Sequence, residues 1–351
     1  MKMMTAALAA LMSVVFAQAG AAETRLFSDS APLNLTISAP MSTLIGRAAH
    51  NTDPYPGTAT VEGASQPLPV QVSARGITRR NPDVCSFPPI KLDFQTRAVA
   101  GTILEGQHKL KLVDPCQRGH SYEQMVVLEY LAYRLLNVVS PLSYRVRAVN
   151  VTFIDTDHRR DNDTHFGYLI EDEHEVAHRN HLHALDVGTG VVNASALDGA
   201  AASRFALFEY MISNLDWDMV AGPQGASCCH NAKLLGATGD ARSNLTPIPS
   251  DYDYSGLVNA PYAVPPAGIH VEDVRQRYFR GYCRYNDQLA GVISDFQAHK
   301  SDLFAVIDNE PALDAGNKRS AHAYLQDFFN ILDDPNAVQH NLTGHCRGGG
   351  G

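Results

Sequence analysis

Residues 90–94, Ile90-Lys91-Leu92-Asp93-Phe94, alternate apolar and polar side chains without interruption, the period of a strand that buries one face. Working outward, residues 70–74, 58–61 and 33–37 show the same alternation between Pro, Gly and Asn breakers, and residues 108–113 add a short strand on the other side. The first third of the chain is therefore sheet-rich. Lys109 and Lys111 share one face of that last strand, where they either blunt an exposed edge or reach toward a ligand.

The period changes after residue 120. Residues 121–137 carry an apolar stripe, Met125, Leu128, Ala132 and Leu135, with Glu129 along its margin, which predicts a helix with a carboxylate near its buried face. A charge in that position is costly unless it meets a cation, and Lys91 or Lys111 is the natural partner; the alternative is a Glu at the margin reaching water. Residues 146–154 and 166–170 read as two strands around the polar turn 155–164. Residues 201–213 form a helix with Phe205, Phe208 and Ile212 on one side, and residues 271–281, 286–307 and 317–332 have helical periodicity. The simplest architecture is α+β, a β-rich N-terminal lobe over 23–170 and a mainly helical C-terminal lobe over 171–346, with a short glycine tail at 347–351.

Before that domain, residues 1–22 hold Lys2, a short apolar run and a small-residue stretch, the pattern of a secretory signal cleaved after about Ala19 or Ala22. No later segment is apolar for long enough to span a bilayer, so an exported chain without a transmembrane anchor is expected. Its 45% hydrophobic residues can fill a substantial core. A net charge of -9 argues against nucleic acid or an anionic membrane as the main partner; a nucleotide needs only local cations. The six cysteines suit an oxidising compartment, and the expected pairs are Cys85 with Cys116 and one of Cys228 or Cys229 with Cys283.

Chemistry concentrates between residues 213 and 256, where Asn214, Asp216, Asp218, Asn231, Asp251 and Asp253 lie on a helix end, a loop, a hairpin and a second loop. Carboxylates and amide oxygens gathered this way suit Mg²⁺ or Mn²⁺. Earlier in the chain, the turn Arg75-Gly76-Ile77-Thr78-Arg79-Arg80 brings three cations together. Either they are a solvated turn, or Gly76 lets the backbone approach a phosphate while Lys91 reaches it from the next strand. Two other metal readings compete. His174-Glu175-Val176-Ala177-His178 matches the HExxH pattern of zinc hydrolases, with His181, His183 or Glu209 available to complete a site. Cys228-Cys229-His230 offers soft ligands without the usual spacing.

Taken in order, VQVSARGITRR with PPIKLDF, VVLEYLAYRLLNVVSPLSYRVRAV with FGYLIEDEHE, and SNLDWD, HNAKLL and PIPSDYDYSG resemble the spore-coat-protein-H (CotH-type) family of secreted atypical protein kinases. The resemblance implies a kinase-like two-lobe fold and transfer of the ATP γ-phosphate, with Mg²⁺ or Mn²⁺, to a hydroxyl-bearing acceptor, a protein being one candidate. It implies that Asp216 orients or deprotonates the accepting hydroxyl and that Asn231 and Asp251, assisted by Asp253, hold metal. Lys91 would hold an α- or β-phosphate while paired to Glu129, with Lys111 as its substitute, and Arg75 and Gly76 would cover the phosphates. The alternative within this resemblance is a non-catalytic pseudokinase or binding protein, since Asp and Asn also tie loops without metal.

Overall fold

The computed structural model describes residues 23–348; the expected signal segment 1–22 and the last three glycines lie outside them. Strand β1 (Leu33–Ala39) is followed by helix α1 (Met41–Arg47), strands β2 (Tyr55–Val61), β3 (Leu68–Ala74) and β4 (Ile90–Phe94), the short helix α2 (Thr96–Val99) and strand β5 (Lys109–Val113). Each of these strands grows from the alternation read in the sequence. In β4, Ile90 and Leu92 are fully buried while Lys91 and Asp93 point outward and pair with each other at 2.9 Å. Helix α3 (His120–Val139) then lies against strands β6 (Val146–Asp155) and β7 (Asp163–Ile170).

A kinase-like two-lobe fold is not what these elements build. The strands close into a seven-stranded barrel in the order β1-β2-β3-β4-β5-β7-β6, sealed by parallel pairing of β1 with β6 from Leu33 opposite Val149 to Ala39 opposite Asp155. Closure removes both free edges, and it joins two segments so distant in sequence that no local pattern encodes it. The seam is pinned at one end by Asp155. Its carboxylate accepts hydrogen bonds from the Ser42 amide (3.0 Å) and hydroxyl (2.5 Å) at the start of α1, and from the amides of Asp157, Arg159 and Arg160.

Two apolar cores result. One fills the barrel with inward residues such as Leu35, Ile37, Val72, Leu92, Leu112, Val151 and Leu169. The other forms where α3 covers the outer faces of β6 and β7 and continues into the second half of the chain. That half contains α4 (Glu173–Arg179), the short β8 (His183–Ala184), α5 (Gly199–Ile212), β9 (Ala232–Gly236), β10 (Thr246–Pro249), and then α6 (Asn286–Ala298), α7 (Lys300–Asp308), α8 (Ala315–Leu332) and α9 (Pro335–Val338). Strands β10, β9 and β8 form a small second sheet. The helix expected over 271–281 does not form. Its arginines are spent instead on tethering an irregular strap: Arg277 donates to the Met211 and Tyr324 carbonyls, and Arg280 to those of Leu215 and Trp217.

Among the described residues no helix is long and apolar enough to cross a membrane. Three disulfides cross-link the chain. Cys85 pairs with Cys116, as expected; Cys283 pairs with Cys346 rather than with the adjacent cysteines, and Cys228 pairs with Cys229. The C-terminal segment explains the exchange, because the Cys283 amide donates to the Arg347 carbonyl and the Arg347 amide to that of Gly281, which sets Cys346 beside Cys283.

Candidate metal and phosphate site

Asp251 and Asp253 follow β10 directly, and they reach α3. One carboxylate oxygen from each of Glu129, Asp251 and Asp253 lies within 4.8 Å of the others, the only group of three or more metal-ligating His, Cys, Asp or Glu among the described residues. The intervening Tyr252 anchors the motif: it is fully buried, donates to the Pro249 carbonyl at 3.0 Å and stacks 4.5 Å from the Tyr133 ring. The Asp251 amide donates to the Tyr133 hydroxyl at 2.9 Å, and Asp251 takes a left-handed φ of 68°. Gly256 ends the motif because a Cβ there would meet the Val274 carbonyl at 2.5 Å and the Arg275 Cα at 2.7 Å.

Burial and mutual repulsion govern these acids. Glu129 is 3% exposed, and its carboxyl is pushed well above the usual range by burial and then by the Asp253 charge, with Arg79 opposing. Burial followed by the Asp251 charge raises Asp253 in the same way, while the Tyr262 hydroxyl donates to it at 3.0 Å. Such a cluster holds protons unless a cation replaces them. Arg79 is the nearest built-in counter-ion: burial alone would weaken its charge, but Tyr262, Asp253, Glu129 and Asp114 oppose that and win. Its guanidinium donates to the Asp114 carbonyl at 2.7 Å. The Nε atoms of Arg75 and Arg79 and both carboxyl oxygens of Asp114 are buried without a hydrogen-bond partner, uncommon for buried polar groups, and burial pushes the Asp114 carboxyl well above its usual range.

The other expected residues fall in two places. Lys91 and Lys111 are cross-strand neighbours on the outer face of the barrel, and they line a groove of about 570 Å³ with Lys109, Lys233, Glu173 and His174. Lys91 is engaged by Asp93 and makes no ion pair with Glu129. Lys111 looks toward Glu173 and Asp251, and burial, with Arg75 nearby, holds its ammonium below the usual lysine range. Gly76 has a φ of 78° with open space where a Cβ would stand, so the backbone of its turn is free to approach a ligand.

Asp216 lies alongside this group, its charge bearing on Asp253. Helix α5 ends at Ser213, whose hydroxyl donates to the Val274 and Gln276 carbonyls, and the chain turns through Asn214, whose side chain accepts from the Asp216 amide at 3.1 Å. One carboxylate oxygen of Asp216 is 2.8 Å from His230 Nε2, and the other accepts from the Asn231 side-chain Nδ2 at 3.1 Å. Asn231 therefore clamps Asp216 through its side-chain nitrogen, while its carbonyl accepts from the Ser250 amide just before Asp251. Asp218 is structural, lying 3.2 Å from Arg347 and 3.9 Å from Arg280, both of which stack on Trp217.

Asp114 and Tyr262 had not been singled out by sequence reasoning, whereas Arg79 had stood only among the three cations of its turn and His230 only as a soft metal ligand beside Cys228 and Cys229. The signal for His230 was its place beside Asn231; nothing local marks Asp114 or Tyr262. The HExxH segment does form a helix, α4, but Glu175 accepts from Thr24 and Gln107, and neither His174 nor His178 joins a metal-ligating group. No protein-family model and no curated protein matches the chain.

Proposed function

We infer that the chain is an exported, metal-dependent phosphotransferase that moves the γ-phosphoryl group of ATP to a hydroxyl acceptor, in the manner of the CotH-type family it resembles. The observation carrying this reading is the convergence of Glu129, Asp251 and Asp253 beside Arg79, with Arg75 and Lys111 close by. Hard oxygen donors next to guanidinium groups whose Nε atoms have no hydrogen-bond partner match a divalent cation and phosphate oxygens together. The reading rests on the site and not on the fold.

Glu129, Asp251 and Asp253 would hold Mg²⁺ or Mn²⁺, which neutralises phosphate charge when bound. Arg79, Arg75 and Lys111 orient the phosphates, and the open turn at Gly76 covers them. Asp216 accepts the acceptor's hydroxyl proton as the new P–O bond forms and the bond to ADP breaks. His230 and Asn231 fix the direction of that carboxylate.

A second reading, a non-catalytic protein that binds metal and nucleotide, draws on the same geometry, because both Asp216 oxygens are already engaged within the chain. Incubation with γ-labelled ATP and Mn²⁺ separates the two. Label transfer to protein or to an added acceptor, lost in Asp216→Asn and Asp251→Asn, is the expected result. A thermal shift with Mn²⁺ and ATP but no transfer would support the binding reading, and no shift at all would exclude both.

A further inference from the structure

The three disulfides differ in what they close. Cys85–Cys116 and Cys283–Cys346 span 31 and 63 residues, whereas Cys228–Cys229 spans one. A cross-link constrains the unfolded chain more the longer the loop it closes, though only logarithmically, so the two long bridges hold the fold and the adjacent pair, which closes no loop, does not. The adjacent pair sits instead at the clamp on Asp216. His230 and Asn231 follow it immediately, and the exposed loop 223–227 precedes it. Cys228 is buried, while Cys229 is only half-buried and its Sγ lies 3.1 Å from the Met219 carbonyl oxygen. A Cys229 thiol would find its hydrogen-bond acceptor already in place.

We propose that Cys228–Cys229 is a redox modification site through which an external dithiol, small or protein-borne, controls the His230 and Asn231 clamp on Asp216. A reductant thiolate attacks the accessible Cys229 Sγ, and the Cys228 sulfur leaves as a thiolate and takes up a proton. The second reductant thiol then resolves the mixed disulfide, leaving two protein thiols and an oxidised reductant, so two electrons and two protons have moved. Without the bridge the backbone at 228–231 gains freedom, and His230 and Asn231 release the Asp216 carboxylate. The consequence for catalysis rests on the phosphotransfer reading; the opening itself does not.

The test treats the full oxidised chain with increasing dithiothreitol, alkylates free thiols and maps them by mass spectrometry. In parallel it follows modification of His230 by diethyl pyrocarbonate at peptide level. Cys228 and Cys229 should be labelled before the other four cysteines, and the His230 modification rate should rise at least about fivefold at that step. The Cys228→Ser/Cys229→Ser variant should show the fast rate without reductant. Labelling of Cys228 and Cys229 after the long bridges, or an unchanged His230 rate once they are reduced, would overturn the proposal. Neither readout depends on ATP or metal, so a failed phosphotransfer reading leaves this result interpretable.

Discussion

Asp155 and Glu129 are 4% and 3% exposed, and their surroundings are opposite. Asp155, at the barrel seam, accepts bonds from Ser42, Asp157, Arg159 and Arg160; burial would raise its pKa, but the Ser42 bonds and the backbone amides outweigh it and hold the carboxyl well below the usual range. Glu129, at the candidate site, is pressed against Asp253 and Asp251 and is held well above that range. A carboxylate surrounded by donors stabilises the fold it sits in, whereas carboxylates crowded together cost stability that only a bound cation recovers. The difference separates a carboxylate whose charge the fold satisfies from carboxylates whose charges oppose one another.

The largest expected effect lies at the seam. Asp155→Ala strands several amides and should destabilise the protein by about 2–4 kcal/mol, since a hydrogen bond to a charged group contributes roughly 1.5–3 kcal/mol net and exposed amides regain water. Chemical denaturation of the variant checks this, and a loss below about 1 kcal/mol would mean that the seam is held elsewhere. Next is Glu129→Gln, which should remove a like charge and raise metal-free stability at pH 8 by on the order of 1.4 kcal/mol, one pKa unit's worth, while abolishing stabilisation by Mn²⁺. Destabilisation with the Mn²⁺ effect intact would break the contrast with Asp155.

The pH dependences should have opposite signs. The depressed Asp155 contributes stability that is complete above its unfolded pKa, about 4, and lost as pH falls through its lower folded value. Glu129 and Asp253 bind more protons folded than unfolded, so their contribution falls as pH rises from about 4 through their raised folded values. A cation displaces those protons, so thermal stabilisation by Mn²⁺ should be larger at pH 8 than at pH 6; a gain that shrinks with pH would place the cation elsewhere. The smallest effect is expected at Arg118→Ala, whose side chain is 68% exposed and pairs with Asp163 at 3.2 Å. It should change stability by less than about 0.5 kcal/mol, leaving the Mn²⁺ response unchanged in a thermal melt.

The sequence was legible where physics is local. Alternation located β1 to β5, and the apolar stripe located α3 with Glu129 on its buried side. Asp251 and Asp253 stood out because they belong to six acidic or amide residues gathered in one segment, Asn214, Asp216, Asp218, Asn231, Asp251 and Asp253. Closure of the barrel was not legible, since pairing β1 with β6 depends on long-range register and on Asp155, whose role is visible only once α1 is placed. The strap over 271–281 mimicked a helix because its arginines and apolar residues recur at helical intervals, yet distant carbonyls claim the arginines: Arg277 those of Met211 in α5 and Tyr324 in α8, Arg280 those of Leu215 and Trp217. Asp114 and Tyr262 escaped because burial of a polar side chain is a property of packing and has no sequence signature.

The central claim is that Glu129, Asp251 and Asp253 form one cation site, and calorimetric titration of the intact, disulfide-bonded chain with Mn²⁺ tests it most directly. About one Mn²⁺ per chain is expected, with proton release on binding and affinity at least about tenfold weaker in Asp251→Asn of unchanged fold. Undiminished Mn²⁺ binding in Asp251→Asn, or no binding by the native chain at pH 8, would contradict it.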